Sequence, residues 1–466
     1  MTPPPSGESL ADLSATELLR RFAAGDLSPV DVTRAVIARV ERLEPKLRAL
    51  YLFRPEDALA AARESERRWR AGEARALEGV PVTIKENIAT AGDPMPLGTA
   101  ARELLAAPAD APPAARLREA GAVILAKTTM PDYGMLSSGL SSFHPVSRNP
   151  WDLSRTPGGS SAGAGAAAAA GYGPVHLGTD IGGSIRLPAG WCGVVGLKPS
   201  FGRVPVDPPY WGRAAGPMTR TVADAALAMR ELSRPDGRDG MSLPPAALRF
   251  EAGAMSPKGL RIGLWREAGI GLPVDPEVAA AVEAAARLFE AAGAVVEPVA
   301  PFLTRSMIDG LDRFWRQRAW ADISALSDAQ RGKILPYIRE WAEGGRDLTG
   351  AEVYHGVSQF GAMRDAALAA TGAFAFVLSP VAPVAAFAAE LASPLHDPAR
   401  PFEHIGFTVP FNFSEQPAIS VPCGMTGDGL PIGVQIAGRR FDDEGVLSVA
   451  AAFEHMRGEL PPWPNP

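Results

Sequence analysis

Apolar positions recur at helical spacing through the first seventy residues and then alternate, and these two periods set the expected elements. Ser14 followed by Glu17 forms a capping box, Leu13 and Leu18 can staple it, and Gly25 offers a left-handed stop, which predicts a helix over residues 15–24. Ser28 as N-cap and Pro29 at the first helical position open a second helix, with Val32, Val36, Val40 and Leu43 on one face, ending at Pro45. A third helix is expected over 55–71. At Gly79 the period becomes two: Val80, Val82 and Ile84 point one way, and Lys85 stands at the strand's end.

Further along, a helix over 112–120 and a short buried strand over 123–126 form one αβ unit, and 130–142 reads as a Gly- and Ser-rich loop. Residues 202–216, with Pro205, Pro208, Pro209, Tyr210 and Trp211, read as an irregular aromatic loop. Thr221 caps a helix over 222–232, and the Pro-, Gly- and Asp-rich passage 234–253 is the best linker in the chain. Then come a strand over 260–264, a helix over 276–292, a strand over 294–299 and a mostly helical passage over 306–370. Its aromatics Phe314, Trp315, Trp320, Tyr337, Trp341 and Tyr354 read mainly as core, with some roofing a pocket. Strands at 374–378, 417–422 and 430–436, the last two joined by a turn over 424–429, precede a closing helix at 444–455. The alternation of strands and helices predicts an α/β fold, its sheet covered on both faces by helices.

Composition narrows the function. Hydrophobic residues at 46% and charged residues at 21% fit a soluble globular protein, and 466 residues allow two or three domains or one large α/β unit. A net charge of −6 without a long basic run argues against nucleic acid or an anionic membrane as partner and points to a small molecule. Cys192 and Cys423 have no metal or redox spacing and read as buried thiols in a reducing cytosol. The N-terminus lacks a signal-peptide pattern. The apolar runs 162–177 and 374–389 are too rich in Gly and Ala, or broken by Pro380 and Pro383, to span a bilayer, so a cytoplasmic location is expected.

The candidate chemistry lies in residues 158–200, which hold two Gly-Gly-Ser units, Gly158-Gly159-Ser160 and Gly182-Gly183-Ser184. A serine hydroxyl attacks a carbonyl only with a base in reach and donors for the oxyanion that forms. Gly159-Ser160-Ser161-Ala162-Gly163 matches the G-x-S-x-G elbow, but the polar, turn-rich 149–157 before it is no buried strand, so Ser161 is set aside as nucleophile. Gly163, Gly165 and Ala168 fit a dinucleotide fingerprint only inside an alanine-rich helix with no strand leading in. None of His144, His176, His355, His396, His404 and His455 has a triad or metal signature; His176 reads as a satisfied core or edge histidine, and no metal or cofactor is expected. Asp180 and Arg186 read as an ion pair orienting the second serine loop. Lys85, at a strand's carboxyl end where open α/β sheets bind ligands, stands apart from ordinary surface lysines.

Taken together, GVPVTIKENI (79–88), GAVILAKTT (121–129), NPWDLSRTPGGSSAG (149–163) and LGTDIGGSIRLPAGWCGVVGLKPSFGRVP (177–205) resemble the amidase signature family, with weaker echoes in QPAISVPCG (416–424) and GLPIGVQIAG (429–438). Ser184 follows Ser160 by 24 residues, as that family's pattern expects. The resemblance implies a single domain over 1–466 built on a central mixed sheet, with a core motif region at 79–225 and a variable, substrate-side helical region at about 300–370. It implies Ser184 as the acylated nucleophile, Ser160 as a bridging serine in a cis peptide, and Lys85 as the terminal base. The backbone N–H groups of Ile181, Gly182 and Gly183, with that of Ser184, would form the oxyanion hole. Ala162, Thr129 and Asp132 depart from the residues usual there and leave the wall near 130–138 less defined.

The implied activity is hydrolysis of amides, extending to carbamates (urethanes), ureas, aryl acylamides and some esters. No cofactor is implied, the substrate is a small molecule, and a homodimer meeting through the N-terminal helices is compatible with the resemblance. The alternative is the glutaminase subunit of a tRNA-dependent amidotransferase, although Arg213 to Val222 (RAAGPMTRTV) resembles the simple amidases more. For Lys85 to serve as a base near pH 7 its pKa must fall roughly three units from about 10.4, which burial can supply.

Overall fold

The computed structural model describes residues 9–251 and 253–466 of the chain. Its eleven strands are β1 (Leu50–Tyr51), β2 (Pro81–Lys85), β3 (Val123–Thr128), β4 (Val175–Asp180), β5 (Val195–Lys198), β6 (Ala214–Thr219), β7 (Arg261–Leu264), β8 (Val295–Pro298), β9 (Phe376–Pro380), β10 (Ala418–Met425) and β11 (Pro431–Gly438). They form one sheet in the order β1-β3-β2-β4-β6-β5-β10-β11-β9-β7-β8. Pairing is parallel around β2 and β7 and antiparallel through the centre, so the sheet is mixed.

The helices are α1 (Ala15–Ala24), α2 (Pro29–Leu47), α3 (Pro55–Ala71), α4 (Pro112–Glu119), α5 (Ala162–Ala170), α6 (Arg186–Cys192), α7 (Val222–Leu232), α8 (Pro276–Ala291), α9 (Arg305–Ser324), α10 (Asp328–Arg331), α11 (Pro336–Glu343), α12 (Gly350–Thr371), α13 (Pro410–Phe413) and α14 (Asp443–Met456). One apolar cluster joins Val82, Ile84, Leu177, Ile419 and Val434 to α4, α7, α8 and α14. Clusters on the other face seat α2, α3 and α5 near β3, and α9, α11 and α12 near β9 to β11. Because successive strand residues face opposite ways, burying Val82 and Ile84 under α4 and α7 sends Lys85 toward α5. That helix, all Gly and Ala, lies close to the chain around it: a Cβ on Gly163 would sit 2.1 Å from the Ala49 carbonyl oxygen.

Several boundaries differ from expectation. Helix α2 runs past Pro45 to Leu47, because a proline in the last turn removes one backbone bond while Leu43 and Leu47 are buried on the same face. Strand β6 begins at Ala214, inside the passage read as loop, and β4, β5 and β6 carry no alternation strong enough to announce them. The described residues of 234–253 form no regular element, yet Phe250 is fully buried, Asp239 accepts the Val206 N–H at 2.9 Å, and strands from both sides share the sheet. No helix among the described residues is long and apolar enough to cross a membrane.

Candidate active site

Lys85 ends β2 fully buried, and its ammonium nitrogen meets three hydroxyls: Ser160 Oγ at 2.8 Å, Ser161 Oγ at 3.0 Å and Thr179 Oγ1 at 3.0 Å. Burial pushes its pKa down to about 7; attraction from Asp180 and Glu86 works against this, and the charge of Arg213 adds to it. The three hydroxyls are not equivalent. Ser161 Oγ donates to the Thr179 carbonyl at 3.2 Å and receives the Thr179 N–H at 3.3 Å, so toward Lys85 it acts as an acceptor. Thr179 Oγ1 accepts from Asn87 Nδ2 at 3.1 Å and donates its own proton toward Asn87 Oδ1 at 3.5 Å. Ser160 is the hydroxyl whose proton remains for the amine's lone pair. Sequence reasoning weighed Ser161 only as a nucleophile and passed over Thr179, because only the direction of their hydrogen bonds gives them this role.

The Gly159–Ser160 peptide is cis, and the Ser161 N–H donates to the Ser184 carbonyl at 3.2 Å, which ties the two serine loops together. Ser184 is partly exposed in an open cleft of about 410 Å³, shared with Gly134, Met135, Leu136, Ser137, Ile181 and Gly182 and faced by Trp315, Arg318, Phe402 and Ile405. The wall near 134–137 is thus at the cleft. Asp132 anchors it, accepting the Ser142 N–H and hydroxyl, both at 2.7 Å, and the Leu335 N–H at 3.1 Å just before α11.

The loop carrying Ser184 is fixed by the buried Asp180–Arg186 pair, with Arg186 Nη2 2.8 Å from Asp180 Oδ1. Burial alone would raise the Asp180 pKa, but Arg186 and Asn412 outweigh it and hold the carboxyl well below the usual range. Arg186 also donates to the Thr408 carbonyl and Gln435 Oε1, both at 2.8 Å, and to Asn412 Oδ1 at 2.7 Å. One expectation is revised here. The Gly183 N–H donates to Asp180 Oδ1 at 2.8 Å, so it is spent on the loop and not free for an oxyanion, whereas Ile181 and Gly182 border the cleft. Gly183 has φ 125°, and a Cβ there would meet Thr408 Oγ1 at 2.5 Å, so its glycine serves the loop's shape.

His176 stands apart from this chemistry. Its Nδ1 meets Thr83 Oγ1 at 2.8 Å, its Nε2 meets the Gly173 carbonyl at 2.9 Å, and burial lowers its pKa to about 3, leaving a neutral core histidine. Of the six aromatics singled out in 306–370, Trp315 faces the cleft; Trp341 is core, and Tyr354 is exposed on α12. Among the described residues no group of three or more His, Cys, Asp or Glu side chains is gathered as a metal site.

The family model described as Amidase matches residues 31–447. The chain is 37% identical to the A subunit of the glutamyl-tRNA(Gln) amidotransferase of Myxococcus xanthus, over 96% of this chain and 97% of that one. It is 36% identical to an acylamidase of Rhodococcus erythropolis, over 98% and 97%. Among solved structures, a bacterial aryl acylamidase of the amidase signature enzymes superposes with a TM-score of 0.86 at 31% identity, covering 95% of this chain and 96% of that one.

Proposed function

The chain belongs to the amidase signature family of C–N hydrolases, and from that premise we propose that it is a stand-alone amidase working through Ser184, Ser160 and Lys85. The observation that carries the reading is the buried Lys85 amine, its pKa lowered by burial to about 7, 2.8 Å from Ser160, on a loop tied through Ser161 to the cleft-facing Ser184. In this mechanism Ser184 Oγ bonds to the amide carbon while its proton passes to Ser160 and the proton of Ser160 passes to Lys85. The N–H groups of Ile181, Gly182 and Ser184 receive the negative charge on the carbonyl oxygen, each worth on the order of 3 kcal/mol. The relay then runs backward: the proton reaches the leaving nitrogen as the C–N bond breaks, leaving an acyl-Ser184 ester. Water attacks the ester, gives its proton to the relay, and frees the acid and the Ser184 hydroxyl. Aryl acylamides and carbamates (urethanes) fit the same acyl transfer.

The similarity to the amidotransferase chain favours a second reading, a glutaminase acting within a complex. Against it, free glutamine carries an ammonium beside its carboxylate, and among the described residues no carboxylate lines the cleft to pair with that ammonium. The deciding experiment uses the purified chain on acetanilide, an aliphatic amide, an aryl carbamate and glutamine. Turnover of the first three without partners, abolished in Ser184→Ala together with labelling by a serine-directed phosphonate, supports the amidase. Ammonia release from glutamine only with added partner subunits, or labelling that persists in Ser184→Ala, overturns it.

A further inference from the structure

One side of the cleft carries a cation, Arg318, which shares the ring of Tyr210 with a second, Arg213, and neither has an ion-pair partner among the described residues. Arg318, on α9, faces the cleft beside Trp315, and its guanidinium lies 4.3 Å from the ring centroid of Tyr210. Arg213, just before β6, stacks on the same ring at 5.2 Å. Two other arginines of α9 are neutralised, Arg305 by Glu403 at 2.7 Å and Arg316 by Asp312 at 2.6 Å, while Arg313 lies exposed away from the cleft lining. Among the described residues Arg213 and Arg318 have no such partner. The charged neighbour that bears most on Arg213 is Arg318 itself, which adds to burial in holding Arg213 down to about 10. A tyrosine face offers each guanidinium a modest attraction, but it does not cancel the repulsion between two like charges brought together in a half-buried site.

Apart from Ser137, the side chains of the remaining cleft wall are apolar: Met135, Leu136, Ile181, Trp315, Phe402 and Ile405. A ligand that complements it has an apolar body near the scissile carbonyl and an anionic group at the arginine end. Resting on the amidase reading above, we propose that the enzyme's substrates are amides bearing a carboxylate, and that Arg318, backed by Arg213, is the residue that selects them. A planar guanidinium suits a carboxylate because two parallel N–H donors match its two oxygens.

The test uses pairs of equal size with the charge on either side of the amide: 4-acetamidobenzoate against 4′-isopropylacetanilide, and glutaric monoanilide against 5-methylhexananilide. In one of the two pairs the carboxylated member is expected to show a kcat/KM roughly 10- to 100-fold above its neutral partner, and the advantage should shrink as sodium chloride is raised. Arg318→Gln should lower the carboxylated member about tenfold or more beyond its effect on the neutral one, and Arg318→Lys should restore part of the difference. The pair that responds tells which side of the amide faces the arginines. The inference is overturned if neither pair shows a preference for the carboxylate, or if Arg318→Gln lowers both members by the same factor. Should no amide be cleaved, the amidase reading fails, and calorimetric binding of the same four compounds to the Ser184→Ala protein decides the inference separately. A carboxylate preference there that Arg318→Gln removes upholds it; equal binding of charged and neutral members sinks it.

Discussion

Lys85 is held by hydrogen bonds that any lysine could make and is made different by burial. Two of its contacts, Ser161 and Thr179, serve as acceptors, and acceptors favour the ammonium over the amine; burial overrides them and leaves the pKa near 7. The sign for activity follows: the relay needs the neutral amine, so kcat/KM on an anilide should climb as pH rises through about 7 and level off above it. Lys85→Arg, whose guanidinium stays protonated, should lower kcat by roughly 10²–10⁴-fold. Ser161→Ala removes an acceptor that stabilises the ammonium, so its rising limb should move to lower pH even as the maximal rate drops. A limb that stays put, or moves upward, would take Ser161 out of the relay's support. The three motif residues were legible because the family resemblance fixes them by spacing. The inward-turned Gly183 N–H, Ser161 and Thr179 were not, since the same GGS or GSS letters fit a donor spent inward or one left facing the cleft.

Among the elements, those with a strong period matched their reading, and those pinned by long-range pairing did not. α1, α3 and α7 start at caps or prolines written in the sequence, and β2 alternates cleanly. β4, β5 and β6 are buried throughout, the polar side chains of β4 included, and β5 is short while β6 is mostly Gly and Ala, so no solvent-facing polar side marks them as strands; they exist because β10 pairs with β5 and β6 pairs with both β4 and β5. The short helix α6 likewise depends on tertiary contacts, chiefly Arg186 spanning Asp180, Thr408, Asn412 and Gln435. Asp180→Asn would leave the buried Arg186 charge without its partner, at a cost of about 3–5 kcal/mol. It would also free the Gly183 N–H from its carboxylate acceptor. Urea denaturation should show that loss of stability, and steady-state kinetics a fall in kcat larger than any change in KM. Native-like stability would mean that the hydrogen bonds to Thr408, Asn412 and Gln435 hold Arg186 without Asp180.

For the whole molecule, the α/β class was legible from alternating elements, but the strand order was not, because pairing such as β6-β5-β10 joins segments some two hundred residues apart in sequence. The same long-range closure buries three lysines. Lys85, Lys127 and Lys198 have pKa values pushed down by burial to about 7, 8 and 7. An unfolded lysine titrates near 10.4, so between about 7 and 10 the unfolded chain binds more protons, and these groups make stability rise with pH across that window. Glu44 and Asp224 act in a lower window: burial raises them to about 7 and about 6, so the stability they supply is lost as pH climbs toward neutrality. Lys198 isolates the lysine effect, because it lies outside the relay, ends β5 almost wholly buried, and makes one hydrogen bond, to the Pro199 carbonyl at 2.8 Å. Lys198→Met keeps the length and apolar stem while removing the charge, at the expense of that one bond. At pH 6.5, where the native lysine must be held charged in the interior beside Arg186, the variant should melt at a higher temperature than the native chain. At pH 9 the native lysine is already neutral in the folded state, and the advantage should shrink or reverse as the Pro199 carbonyl goes unpaired. A melting-temperature difference that does not change between pH 6.5 and 9 would mean that Lys198 keeps its proton, or its water, inside the fold.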